Sequence, residues 1–192
     1  MKKMFKIVVL TACIVAALAV SAFAANDFEF IADELKEVGM FRGTENGYEL
    51  DREPTRVEAA VMLVRLLGKE DAAAESYMKG QISHPFTDVD KWANPYIAYL
   101  YTNGLANGVS ATKFGSSEIC SAQMFVTFAL RTLGYSDAAG GDFTYAGALD
   151  FAQYNVRLAD SFIIEGTFTR GKLAAVSYQA LATNVKNDYR TL

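Results

Sequence analysis

A helix–loop–helix plan recurs along this chain at a nearly constant spacing, and that recurrence limits the fold more than any single motif. Phe28, Ile31, Leu35 and Val38 fall at helical spacing, and Gly39 ends the run. After a turn at Asn46-Gly47, a second apolar face uses Ala59, Met62, Leu63, Leu66 and Leu67 and stops at Gly68. The shift that puts Leu35 on Leu100 also puts Gly39-Met40-Phe41-Arg42-Gly43 on Gly104-Leu105-Ala106-Asn107-Gly108, and Val57-Glu58 on Ala122-Gln123. Leu66-Leu67-Gly68 meets Thr132-Leu133-Gly134 one residue further on. A more divergent third unit follows. Phe143-Thr144-Tyr145 echoes Phe86-Thr87-Asp88, and Ala148 to Ala152 starts its first helix. Thr169-Arg170 sits where Thr55-Arg56 sits, followed by a stripe of Leu173, Val176, Ser177 and Leu181, but the connecting loop lacks the glycine pair. Units this small with one apolar face must pack on one another to be stable. The expected fold is therefore all-α, three short helix–loop–helix repeats in one domain. The Ala- and charge-rich stretch Lys69 to Gly80 predicts an additional linker helix, and Ser136 to Asp142, with two glycines, a flexible connector.

Thr55-Arg56-Val57-Glu58 is the sharpest local motif. A Thr followed three residues later by Glu forms a capping box, each side chain meeting the other's backbone amide. That leaves Arg56 in the first turn, beside unpaired helix amides, a place suited to an anion. The plain alternative is a helix start with a solvated arginine.

The N-terminus reads as an export signal. Lys2, Lys3 and Lys6 precede an apolar run from Ile7 to Val20, and Ala22-Phe23-Ala24 offers a small-x-small cleavage pattern, so removal of residues 1–24 is expected. The run is short for a membrane span. Leu10-Thr11-Ala12-Cys13 resembles a lipoprotein processing box, but the apolar run continues well past Cys13. Cleavage takes away those three lysines and no acid, so the remaining chain is more acidic than the formal −4 of the whole and still long enough for a sizeable core. That balance disfavours a non-specific nucleic-acid binder and leaves room for a local cationic pocket. Only Cys120 remains after cleavage, so no intrachain disulfide is expected, and it reads as a buried small side chain.

The middle unit carries a resemblance. Phe86-Thr87-Asp88-Val89, Trp92, Tyr96-Ile97, Leu100, Gly104-Leu105 and Gly108 resemble the front half of an S-layer homology module. Tyr48, Asp51 and Pro54-Thr55-Arg56-Val57-Glu58-Ala59 resemble its back half, whose usual signature is Thr-Arg-Ala-Glu. The resemblance spans about residues 27–183. It implies a pseudo-threefold prism of helix pairs: module 1 at 25–70, a linker at 71–85, module 2 at 86–135, a second linker at 136–142, and module 3 with a short tail at 143–192. It also implies non-covalent attachment of an exported protein to a secondary cell-wall polymer associated with peptidoglycan, often through a pyruvylated amino sugar held between modules. The residues so implicated are Arg56 and Arg170, with Trp92 a wall of the pocket and Asp88 a further member of a groove. Thr55, Glu58 and Thr169 belong to the helix-capping signature. A ketal carboxylate suits a guanidinium fork, and an aromatic face suits the apolar side of a sugar.

Departures from the family pattern qualify this picture. In unit 2 the signature aligns with Cys120-Ser121-Ala122-Gln123, which offers no guanidinium, although Gln123 retains the chemistry to act as Glu58 does. Lys172 replaces the acid in unit 3, and unit 1 lacks the Phe-x-Asp-Val opening. Trp92 has a second reading as a lid on the core, and Asp88 as a turn cap. With one histidine, His84, and no calcium-loop spacing around Asp88 and Asp90, neither a metal, a cofactor nor a catalytic residue is expected. Only a short tail follows Leu181, which suggests a binding module without attached cargo. The alternative reading is an envelope structural or protein-interaction module, bound to another exported protein, that has lost glycan binding.

Overall fold

The computed structural model describes residues 27–188 and 191–192. The expected leader, its cleavage site and Cys13 lie outside the described residues. Residues 27–37 form α1, followed by α2 (Arg56–Leu66), α3 (Glu70–Met78), α4 (Asn94–Thr102) and α5 (Ala122–Thr132). Then come α6 (Ala148–Phe151), α7 (Ser161–Ile164) and α8 (Arg170–Leu181). Among the described residues there is no strand, and β-type pairing is confined to three isolated bridges. The all-α expectation holds.

Three helices of similar length, α2, α5 and α8, each contact the other two. They start alike. Thr55, Ser121 and Thr169 have extended backbones, and each side-chain oxygen accepts an amide three residues on. All three end in a glycine or bend, and their inward faces supply Leu63, Val64, Phe125, Val126, Leu130, Leu173 and Val176 to one continuous core. The stretch Lys69 to Gly80 is helical as α3, which packs along α4. Ser136 to Asp142, predicted as a flexible connector, closes on itself: the Asp142 amide donates to the Ser136 carbonyl at 2.7 Å, and the Ser136 amide to the Asp142 carboxylate at 2.8 Å.

The chain between the two helices of each unit forms an arm over the surface. The first arm covers positions 40–54, the second 105–120 and the third 158–168; they are called arm 1, arm 2 and arm 3. Each begins after a left-handed residue: Gly39 (φ 77°), Gly104 (φ 68°) and Arg157 (φ 61°). Arg157 thus takes the turn that glycine makes in the other units, after a π-helical stretch over Ala152–Val156. The missing glycine pair does not remove the turn. It transfers the strain to an arginine.

The arms also correct the repeat register. Ser121, not Cys120, caps α5, so Ala122 stands where Arg56 stands and Met124 where Glu58 stands. The shift that carries Gly43 onto Gly108 is one position shorter than the shift that carries Thr55 onto Ser121, because the second arm has one extra residue. Gln123 consequently does not act as a reciprocal cap. Its side-chain amide donates to the Tyr145 carbonyl instead.

Gly108 is required by close approach. A Cβ there would lie 2.3 Å from a Phe86 ring carbon, 2.5 Å from the Lys113 carbonyl and 2.7 Å from the Ser110 carbonyl. Phe86 is itself held against Phe114, His84 and Tyr101, so it has little room to withdraw. Gly108→Ala is expected to destabilise the fold by about 2–3 kcal/mol. That corresponds to a fall of roughly 5–10 °C in thermal unfolding midpoint. A midpoint unchanged within 1 °C, on the order of the smallest shift worth assigning, would show that arm 2 gives way.

Candidate functional site

Two of the three unit junctions are built from the same three hydrogen bonds. At the start of α2, the amides of Arg56 and Val57 donate to the carbonyls of Glu118 (2.8 Å) and Ser116 (3.2 Å) in arm 2. At the start of α8, the amides of Arg170 and Gly171 donate to Arg52 (2.8 Å) and Leu50 (2.9 Å) in arm 1. In each case the arginine Nε then reaches two residues further along the arm: Arg56 to the Phe114 carbonyl at 2.8 Å, Arg170 to the Tyr48 carbonyl at 2.9 Å. The orphan amides of one unit's helix are thereby satisfied by another unit's loop. Both arginines are 6% exposed. Burial works against the charge of each, and no arginine loses its proton under these conditions.

The guanidinium groups lie against aromatic rings. Arg56 sits 4.9 Å from the Phe114 centroid and 5.0 Å from Phe128, and Arg170 sits 5.0 Å from Phe41. Arg56 also donates to the Asn107 carbonyl at 2.6 Å.

Each arginine lines a groove. The first, about 240 Å³, runs between arm 1 and helices α2 and α8, with Arg170 and Glu58 in its wall and Trp92 beside them. The second, about 220 Å³, runs between arm 2 and α5, with Arg56, Asn107, Gly108 and Met124 among its lining and Phe128 and Tyr145 as its aromatic members. The frames correspond: Arg42-Gly43 matches Asn107-Gly108, and Arg65 on α2 matches Arg131 on α5. Arg65 pairs with Glu70 at 3.3 Å and Arg131 with Asp137 at 2.6 Å.

The third junction lacks this construction. From the left-handed residue to the helix cap, the chain runs from Gly39 to Thr55 in the first unit and from Gly104 to Ser121 in the second, but only from Arg157 to Thr169 in the third. Arm 3 is too short to present a matching row of carbonyls and contains α7 instead. Among the described residues, the amides of Ala122 and Gln123 have no backbone partner in arm 3.

The other site residues predicted from the sequence fall into two groups. Trp92 is 56% exposed and lies edge-on to Tyr96 at 6.5 Å, on the rim of the first groove. Of the two readings of Trp92, this exposure fits the groove wall better than the lid, since Trp92 is not among the hydrophobic side chains packed on the core. Asp88 lines neither groove. Its carboxylate accepts the amides of Phe114 (2.7 Å), Gly115 (2.8 Å) and Ser116 (3.4 Å). Burial pushes that carboxyl up, but the amides outweigh it and hold it below the ordinary range. Asp88 thus fixes the arm whose Phe114 carbonyl receives Arg56, which makes it a positioning residue and fits the turn-cap reading. Cys120 is fully buried, and burial pushes its thiol up to about 12. Among the described residues no cluster of His, Cys, Asp and Glu is placed to hold a metal, and no helix is long and apolar enough to cross a membrane.

Glu58 joins the cap to the first groove. Its Oε2 accepts the Thr55 amide at 2.7 Å, and its Oε1 accepts Arg52 at 2.8 Å and Arg170 at 2.9 Å. Reading the sequence gave Glu58 only its capping role, because the arginines it holds come from an arm and from a helix 112 residues away. Burial pushes its carboxyl up, but Arg52, the Thr55 amide and Arg170 together hold it below 4.5. A depressed carboxyl contributes stability above its unfolded value that is lost as pH falls through the folded value. Glu58→Gln is therefore expected to cost about 2 kcal/mol at pH 7, and the gap from the parent protein should close below pH 4.5. Urea unfolding curves of parent and variant, compared at neutral pH and at successively lower pH, check the sign.

Comparison with known proteins came to the same segment. Residues 85–118 match the S-layer homology domain family. The chain is 28% identical over 194 aligned positions to a cell surface protein of Thermoanaerobacter kivui, an alignment covering 94% of this chain and 24% of that protein. The chain thus spans about a quarter of the relative's length. The matched segment runs from the start of Phe86-Thr87-Asp88 through α4 to Glu118, and it contains every arm carbonyl that receives Arg56. The stretch of chain that clasps Arg56 is thus the part that matches the S-layer homology domain family.

Proposed function

We propose that this protein attaches at the bacterial cell surface by binding, without catalysis, a secondary polymer of the cell wall, and that the polymer group it holds is acidic, such as a pyruvylated amino sugar. One observation carries the reading: two grooves of sugar-sized volume, each with a buried guanidinium in its wall and an aromatic residue at its edge. A guanidinium in a site largely closed to water binds a carboxylate more strongly than one at the surface, where ions screen it. Trp92 and Tyr145, both exposed, offer flat apolar faces of the kind that cover one side of a pyranose ring. The S-layer homology match and the name of the relative support the location.

The alternative, a structural or protein-interaction module without glycan binding, draws support from the third junction alone, where Ala122 supplies no charge and arm 3 makes no clasp.

Arg56 and Arg170 are part of the fold, so surface positions on the grooves make better tests. Val109 is 48% exposed and lines the second groove, as Trp92 lines the first. The purified protein is expected to co-sediment with native wall sacculi and not with sacculi stripped of the secondary polymer. Val109→Asp should reduce that binding about tenfold, the cost of a repelling charge worth on the order of 1.4 kcal/mol. Trp92→Ala should reduce it by a similar factor through loss of its aromatic face. Equal pelleting with both sacculi preparations, or none with either, removes the polymer reading and favours the alternative.

A further inference from the structure

Ten residues after its cap, the second helix of each unit carries a polar side chain, and the three units use it differently. In unit 2 it is Arg131, whose Nη1 donates to the Leu105 carbonyl at the start of arm 2, at 3.3 Å. In unit 3 it is Gln179, whose Oε1 accepts the Ala159 amide of arm 3 at 2.9 Å. In unit 1 it is Arg65, and among the described residues it makes no hydrogen bond to arm 1. A carboxylate stands between them instead. Glu70, the first residue of α3, accepts the Arg65 Nε on Oε1 at 3.3 Å and Arg42 of arm 1 on Oε2.

The same carboxylate reaches a further element. Tyr96 of α4 donates its hydroxyl to Glu70 Oε1, and the Arg65 guanidinium lies 5.9 Å from the centre of the Tyr96 ring. Trp92 meets that ring edge-on, and among the described residues this is its one ring contact. Arg42 and Trp92 both line the first groove, the former from arm 1 and the latter from the segment before α4, and both are exposed. A long exposed side chain samples several rotamers unless a partner holds it. Glu70 is not part of the groove's lining, yet it is bonded to Arg42 on one rim and to the support of Trp92 on the other. Burial pushes its carboxyl up, but the Tyr96 hydroxyl and the two arginines outweigh this and keep it ionised. The second groove has no such tie. There Asp137 forms a fork with Arg131 alone, at 2.9 and 2.6 Å.

We propose that Glu70 is the positioning residue of the first groove: from a helix outside the repeated pairs, it holds Arg42 of arm 1 and, through Tyr96, Trp92 in place before a ligand arrives. That the ligand is a wall polymer rests on the reading above, whereas the tie between the two rims rests on the contacts of Glu70 alone. A side chain that is loose in the free protein must be ordered when it binds, and that ordering subtracts from affinity. Glu70 removes the need at both rims together.

Trp92 is the one tryptophan of the chain, so its fluorescence reports on the first groove without a label. The test compares the parent with Glu70→Gln and Tyr96→Phe, each shown to be folded by circular dichroism and used well below its unfolding midpoint. Both variants are expected to add a fast component to the Trp92 anisotropy decay, from indole motion that the parent restrains. Binding to native wall sacculi should fall about tenfold in Glu70→Gln, which frees both rims, and about threefold in Tyr96→Phe, which frees one. The double variant should bind as Glu70→Gln does, because the Tyr96 hydroxyl acts through Glu70. A merely structural role lowers the unfolding midpoint but leaves the anisotropy and the affinity of the folded variants at parent values, and that result overturns the proposal. Loosening of Trp92 without loss of binding overturns it too, as does loss of binding without loosening. If Glu70→Gln does not fold, Tyr96→Phe decides by the same two readouts. If the parent ignores native sacculi, the polymer reading falls, and the anisotropy alone decides whether Glu70 holds the rim.

Discussion

An arginine at the first position of a helix, reaching into the loop of another unit, is the interaction on which this structure depends. A helix start exposes amides that need acceptors, and an arm of irregular chain exposes carbonyls that need donors. At the α2–arm 2 and α8–arm 1 junctions each need answers the other, and the guanidinium adds a third bond two residues along. The apolar faces of α2, α5 and α8 would pack in several ways by themselves. The arms remove that freedom, because a carbonyl row accepts a helix start in one register only. The same two arginines line the two grooves.

Asp88 shows how the positioning extends outward. It touches neither groove, yet it gathers three successive amides of arm 2 and so aims the Phe114 carbonyl at Arg56. Glu58 does comparable work on the other side, holding Arg52 of arm 1, Arg170 of α8 and the cap of its own helix at once. A single carboxylate thus connects helix capping, unit docking and groove electrostatics, and its replacement by Met124 in the next unit changes all three together.

Much of this was legible in the sequence. Helix starts at Thr55 and Thr169 announce themselves locally, and the apolar spacing along α2, α5 and α8 is that of buried helices. Arg56 stood out because the first turn of a helix suits an anion, and Arg170 because Thr169-Arg170 sits where Thr55-Arg56 sits. What escaped was whatever depends on distant partners. The register of unit 2 was misread because Cys120-Ser121-Ala122-Gln123 fits the shift that carries Leu35 onto Leu100 and governs the front half. The added residue in arm 2 becomes visible only where Ser121 caps α5. The fit of Leu66-Leu67-Gly68 to Thr132-Leu133-Gly134, one residue late, was the available sign. Trp92 was open to two readings, a pocket wall and a core lid, and its neighbours in the chain do not tell which side of it faces solvent; its exposure does. The left-handed turn at Arg157 breaks the rule that led one to look for glycine.

The α8–arm 1 clasp joins residues 122 positions apart, Arg170 to Tyr48. A chain made from its N-terminus onward therefore completes its grooves in the reverse of their sequence order. The second groove has all its parts once Tyr145 has emerged, whereas the first, although its arm and α2 are among the earliest segments made, waits for Leu173. Helix α8 thus finishes the first unit, and both grooves have all their lining residues only once Leu173 has emerged.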